Sequence, residues 1–473
     1  MGAFTRTKSI AELVATSEYP HARLKRSLGL WSLVGLGIGS VIGSGIFTFT
    51  GTAAAGTPER LGAGPGIALS FFLVAIACGF AGLCYAELAS MIPVAGSAYT
   101  YAYATLGEIF AWIIGWDLIL EYAVSNMAVG VGFAAYLNDL LENAFGIQFP
   151  ASLSNPVYGP DGFTGAIFNV PAFLIIMVLT VILVKGIKES ATANNVMVLI
   201  KVAAILAFIL GAAGAVNTAN WHPFMPNGFS GVLTGGAVIF FAYIGFDSVS
   251  TAAEECENPQ RNMPRGILLT LIACAVLYAG VALVLTGIAH WETLNNAAPV
   301  ANALKALGYN QLRFIVSVGA LIGMISSLMI FQYGQARVWF AMSRDKLLPG
   351  IFSRVHGKYE TPDVSTWIAG LVVGIGAGIF DIGTLGDLTN IGTLFAFVIV
   401  SLGVIVLRRT NPNHKRSFRV PMVPVLPIIS IVSCTVLMFS LPWETWVRFV
   451  VWLAIGMVIY FGYSRKRLHA EGE

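Results

Sequence analysis

The chain has 473 residues, 56% hydrophobic and 11% charged, with a formal net charge of +3 and a mean hydropathy of +0.77. Soluble domains carry about 25% charged residues, so a soluble globular fold is excluded. Long apolar runs in place of alternating ten-residue segments exclude a transmembrane barrel, which leaves an all-α polytopic membrane protein.

Runs bounded by charges, prolines and turn residues place twelve spans, at 28–56, 65–92, 107–137, 170–184, 194–215, 230–253, 265–289, 312–342, 364–380, 384–407, 423–441 and 443–463. Before them, residues 1–27 mix charged and polar side chains without a cleavable signal pattern, so the first span is expected to direct insertion.

The first span is interrupted by Gly43-Ser44-Gly45, and glycine and serine are poor helix formers. A helix broken in hydrocarbon leaves amides and carbonyls that only protein, water or a ligand can satisfy. Amides opening the second half-helix suit a carboxylate, and carbonyls ending the first half suit an ammonium. Gly35, Gly39 and Gly43 also fall four apart, a spacing that equally serves close packing of membrane helices.

Glu87 falls near the end of the second span and reads as structural. Between spans two and three, 97–106 reads as an interfacial helix whose tyrosines suit the headgroup level. On the third span Asp117 and Glu121 lie four apart and share a face; they could line a polar cavity, take a proton, or be hydrogen-bonded structural carboxyls. Lys201 is a basic residue about one-third along the fifth span. An intramembrane ammonium is costly and a functional candidate, although a lysine can also snorkel to the headgroups.

The sixth span carries Gly231, Gly235, Gly236 and Gly245, with Asp247 just beyond, where it could cap a second half-helix or serve in gating. It is weakened at its middle like the first and, five spans later, runs the opposite way. Paired broken helices in two halves point to an inverted-repeat transporter with a midplane site.

With the N-terminus inside, most lysines and arginines fall on the cytoplasmic side, while Arg60, Lys305, Arg313 and Arg448 fall outside. A miscounted span would have flipped every later loop. The five cysteines lie scattered, mostly within apolar runs, and the six histidines fall in loops or tails. No phosphate loop, zinc motif or nucleophile elbow is present, so neither an enzyme, a cofactor, a metal nor a nucleic-acid partner is expected.

Several stretches together resemble the amino acid–polyamine–organocation (APC) superfamily: Gly43-Ser44-Gly45-Ile46-Phe47, Tyr85-Ala86-Glu87-Leu88 with Pro93 and Gly96-Ser97-Ala98-Tyr99, Gly115-Trp116, Phe241-Ala242-Tyr243-Ile244-Gly245-Phe246-Asp247, Glu254-Glu255 with Asn258-Pro259, and Ala341-Met342-Ser343-Arg344-Asp345 with Leu348-Pro349. Phe418-Arg419-Val420-Pro421 resembles the cationic amino acid transporter branch.

The resemblance implies a 5+5 inverted repeat (LeuT-like) with discontinuous helices 1 and 6 and two trailing helices. Its parts would be a cytoplasmic segment 1–27, repeats at 28–216 and 217–408, helices 11–12 at 409–464 and a cytoplasmic tail 465–473. It implies that amides around Gly43, Ser44 and Gly45 hold a substrate carboxylate. Carbonyls of Val41 or Ile42 and of Phe241, Ala242 or Ile244 would hold the α-ammonium, with the Phe241 ring as a gate. Lys201 would couple transport to protons, with Ser326 or Ser327 beside it, and Glu121, Phe241 and Met324 would set side-chain preference. The expected function is proton-coupled uptake of L-amino acids across the bacterial plasma membrane. Exchange, sodium coupling, and a receptor or channel remain alternatives; substrate preference, oligomeric state and any accessory subunit are left open.

Overall fold

The computed structural model describes residues 28–57, 60–92, 97–159, 162–186, 191–247, 249, 256–359, 361–414, 416, 418–465 and 467. The segment 1–27, Pro93, Gly96, Glu254-Glu255 and most of the tail lie outside the described residues. The rest is mostly helical: α1 (Leu30–Val41), a π-helical turn (Gly45–Phe49), α2 (Thr50–Ala55), α3 (Ile67–Met91), α4 (Ser97–Thr105), α5 (Glu108–Phe145), α6 (Val170–Val184), α7 (Ala191–Ala212), α8 (Gly228–Ile239), α9 (Pro259–Ile288), α10 (Pro299–Ala306), α11 (Asn310–Arg344), α12 (Asp363–Ile379), α13 (Ile382–Thr410), α14 (Val425–Phe439) and α15 (Trp443–Ile459). Two small antiparallel ladders interrupt the all-α plan, β1 (Gly56–Thr57) with β2 (Arg60–Leu61) and β3 (Tyr158–Gly159) with β4 (Gly162–Phe163).

Among the described residues seven helices are long and apolar enough to cross a membrane, eight when the bent pair 30–41 and 45–55 counts as one, and four more helices are apolar but shorter. The protein is therefore a polytopic membrane protein. Inside a bilayer the burial of a helix reports its place in the bundle. The most apolar window of α5 is 89% buried, against 28% for the span ending at Ala215 and 22% for the last. So α5 is the central post, packed by α11, α13 and α12, while α7 and α15 offer most of their surface to lipid.

α5 runs to Phe145, well past the expected end at residue 137. Its polar extension is held from the side. Arg313 at the start of α11 pairs with Asp139, whose second oxygen accepts from Ser317 at 2.9 Å, and Lys305 of α10 donates to Glu142 at 2.9 Å.

Candidate functional site

The first span comes apart where its sequence is weakest. α1 ends at Ile42, whose backbone is extended (φ −78°, ψ 98°), and the chain resumes at Gly45 with a 44° change of direction. Both glycines are demanded by close approach: a methyl group on Gly43 would stand 2.6 Å from Ser327 Oγ, and one on Gly45 2.4 Å from Ala242 Cα. The amides of Gly43, Ser44 and Gly45 donate to no backbone carbonyl outside their own helix among the described residues.

The carbonyls ending α1 are met by side chains from distant helices. Lys201 Nζ on α7 donates to Gly39 O at 2.5 Å and to Ile42 O at 3.0 Å, and the Tyr278 hydroxyl of α9 donates to Val41 O at 3.1 Å. Lys201 has no exposed surface, so its ammonium faces the break and does not snorkel to a headgroup. Its stem lies along Gly323, where a methyl group would come within 3.4 Å of Cγ. An ammonium at a helix C-terminus meets the negative end of the dipole, which offsets part of the cost of burying it.

The sixth span breaks opposite the first. α8 passes into a 3-10 turn (Phe240–Tyr243), Ile244 is extended at ψ 135°, and Gly245 takes φ 112°, a conformation other residues rarely adopt. Gly245 packs on Ser40, whose carbonyl oxygen would be 2.9 Å from a methyl group there. Residue 248 and residues 250–255, which would carry the second half of this helix, lie outside the described residues. Asn390 Nδ2 of α13 satisfies Ala237 O and Val238 O at 2.7 and 3.1 Å, and the Phe241 ring stacks on Phe49 at 4.5 Å.

Several buried polar atoms find no partner among the described residues: Ser44 Oγ and Thr48 Oγ1 at the break, Ser125 Oγ and both amide atoms of Asn126 on α5, and Ser326 Oγ on α11. Such groups cost about 1–3 kcal/mol each when left unpaired in an apolar interior. Ser44 and Thr48 mark a place where water or a ligand belongs. Ser44 and Thr48 face Gly132 of α5, where a methyl group would be 3.2 Å from each residue.

Val41, Ile42, Gly43, Ser44, Gly45, Lys201, Phe241, Ala242 and Ile244 converge on the paired breaks, and Met324, fully buried on α11, follows Gly323 beside the Lys201 stem. Glu121, eleven residues before Gly132 on α5, lies within electrostatic reach of Asp117 and of Asp247, two residues past Gly245 at the sixth-span break, with Asp117 turned toward Gly392 of α13. Sequence reasoning missed Tyr278, Asn390, Thr48 and Gly132. A tyrosine or asparagine inside an apolar run was the available signal for the first two; nothing local marked the glycine.

Next to Gly386, which packs on the Phe49 ring, Asp387 of α13 forms an ion pair with Arg60. Among the described residues no group of three or more histidine, cysteine, aspartate or glutamate side chains is placed to hold a metal ion.

A family model described as amino acid permease matches residues 28–462. The chain is 48% identical over 466 residues to the methylthioribose transporter of Bacillus subtilis, covering 98% of this chain and 99% of that one. It is 47% identical to the branched-chain amino acid permease BcaP of the same organism, covering 98% of each. A chloroplastic cationic amino acid transporter 9 of Arabidopsis thaliana is 37% identical over 400 residues, 83% of this chain and 68% of the plant protein.

Proposed function

The chain belongs to the amino acid permease family of the APC superfamily and is therefore a transporter and not an enzyme; on that premise we propose a secondary active carrier that takes up L-amino acids with protons by alternating access. Eight apolar spans, with the bent pair counted as one, and four shorter apolar helices together make the number that a 5+5 inverted repeat with two trailing helices needs. In this reading the repeats occupy 28–216 and 217–408, and both termini are cytoplasmic in the bacterial plasma membrane.

The observation that carries the proposal is the Lys201 ammonium on the carbonyls of Gly39 and Ile42. Protonated, it holds the C-terminal end of α1; neutral, it loses the charge-assisted part of those bonds and releases the break. Proton occupancy thereby becomes a conformational variable, and a substrate that binds one conformer better draws on the proton gradient. Beside it, the amides of Gly43, Ser44 and Gly45 take the substrate carboxylate. The α-ammonium shares the carbonyl side of the break, with Val41 and Ile42 already engaged by Tyr278 and Lys201 and the span-six residues Phe241, Ala242 and Ile244 opposite. Phe241, stacked on Phe49, closes the extracellular side, and Met324 borders the substrate side chain.

Reconstituted vesicles test this. Saturable uptake of labelled amino acid driven by an inward proton gradient and abolished by a protonophore is expected. Dependence on sodium, or on an amino acid inside the vesicle, would assign a symporter of the other ion or an exchanger; non-saturating current would assign a channel. The similarity to a methylthioribose transporter supports one second reading, a neutral thio-sugar cargo. Because that cargo has neither carboxylate nor α-ammonium, competition between it and a branched-chain amino acid separates the two.

A further inference from the structure

Glu87, which the transport reading does not use, anchors a cationic turn at one end of the bundle. Its carboxylate accepts from Nε and Nη2 of Arg408 at 2.8 Å each and from the Val420 amide at 2.7 Å, and Arg416 Nε lies 3.3 Å away. Arg416 also donates to the carbonyls of Leu407, Asn411, Pro412 and His414, capping α13. The turn between α13 and α14 is thus drawn against α3 by a carboxylate that is itself 1% exposed.

Among the described residues the charges around it do not cancel. Arg408 and Arg416 share one carboxylate and a helix C-terminus equivalent to roughly half a negative charge, while Arg409 follows Arg408 in the chain and Arg419 lies within electrostatic reach of Arg416. Burial and the neighbouring Arg408 pull the Arg416 guanidinium below its usual value, Glu87 opposes them, and Arg419 adds to the fall. The side chains of Arg409 and Arg419 are exposed and form no hydrogen bond or ion pair with another described residue. Three residues after Arg419 the surface turns apolar, with Met422 69% and Val425 52% exposed, so the chain enters hydrocarbon there.

We propose that Arg419 and the open edge of Arg408, flanked by Arg409, bind the phosphate group of an anionic phospholipid at the cytoplasmic leaflet. The choice of leaflet rests on the orientation proposed above, while the binding does not require the transport reading. The missing negative charge is supplied by a headgroup because the cations stand at the edge of the apolar surface, where a lipid phosphate sits.

The test is native mass spectrometry of the full chain released from nanodiscs holding equal phosphatidylglycerol and phosphatidylcholine. The wild type is expected to retain phosphatidylglycerol several-fold over phosphatidylcholine, and an Arg409→Gln/Arg419→Gln variant to lose that preference with an unchanged Tm. An Arg354→Gln/Lys358→Gln variant, with the same charge change at exposed positions elsewhere, is expected to keep it. Equal loss in both variants would reduce the effect to general surface charge and overturn the site. Displacement of the bound lipid by inorganic phosphate alone would overturn the lipid as its source. Transport is not read in any arm, so an absent lipid preference leaves the carrier proposal standing.

Discussion

Gly45 of the first span and Ala242 of the sixth touch backbone to backbone: a methyl group on Gly45 would lie 2.4 Å from the Ala242 Cα and 3.0 Å from its nitrogen. The two interruptions therefore form one structure, in which each opened backbone is a wall for the other. Gly245 on Ser40 repeats the relationship on the other side of the break.

Gly45→Ala is expected to abolish substrate uptake while leaving insertion intact. The methyl group has backbone on the far side and cannot be accommodated by a rotamer change, so overpacking costs about 1–3 kcal/mol and separates the walls of the site. Uptake in vesicles containing equal amounts of wild-type and variant protein checks this; uptake within twofold of wild type, a change of about 0.4 kcal/mol at most, would contradict it.

Lys201→Met is expected to remove the response of uptake to an imposed pH gradient while sparing some amino acid exchange. The thioether fills a similar volume but leaves the carbonyls of Gly39 and Ile42 without their donor, at about 1–3 kcal/mol for each buried acceptor. Uptake rates at matched and unmatched internal pH measure it, and an unchanged pH response would remove Lys201 from the coupling step.

Gly132→Val is expected to weaken apparent substrate affinity more than it slows the turnover of bound substrate. Its side chain would enter the space faced by Ser44 and Thr48, whose hydroxyls have no partner among the described residues. KM and kcat for uptake, taken together, check this, since loss of an interaction made equally in bound and transition states raises KM alone.

Asp139→Asn is expected to lower thermal stability strongly. Arg313 is nearly buried and paired with Asp139, and removing one partner of such a pair costs about 3–5 kcal/mol because the other charge stays buried. Replacing both, as Asp139→Leu/Arg313→Met, is expected to recover much of the loss. Tm values of the three proteins in one detergent decide it, and a double variant no better than the single one would contradict the pairing argument.

Apolar runs and turn residues were sufficient to place most helices within a few residues, and 170–184 coincides with α6, because a helix in hydrocarbon must satisfy its own backbone and so follows the run of apolar side chains. The weakness at Gly43 to Gly45 was legible for the same reason. Where support comes from the side, the pattern was silent. Residues 138–145 are too polar to read as a continued span, and they stay helical through Asp139–Arg313 and Glu142–Lys305 contacts. The Pro299–Ala306 helix was likewise too short and mixed to be read.

Sequence by itself determined that this chain crosses the bilayer many times and that two of its helices are weak at their middles, since hydropathy and glycine content act locally. Only the tertiary structure decided what meets the exposed ends. Lys201 reaches Gly39 across 162 residues, Tyr278 reaches Val41 across 237, and Glu121, a candidate by its helix face, comes within electrostatic reach of Asp247 on the sixth span. Those outcomes depend on helix rotation and depth in the bundle, which side-chain packing between distant segments sets and no local pattern encodes.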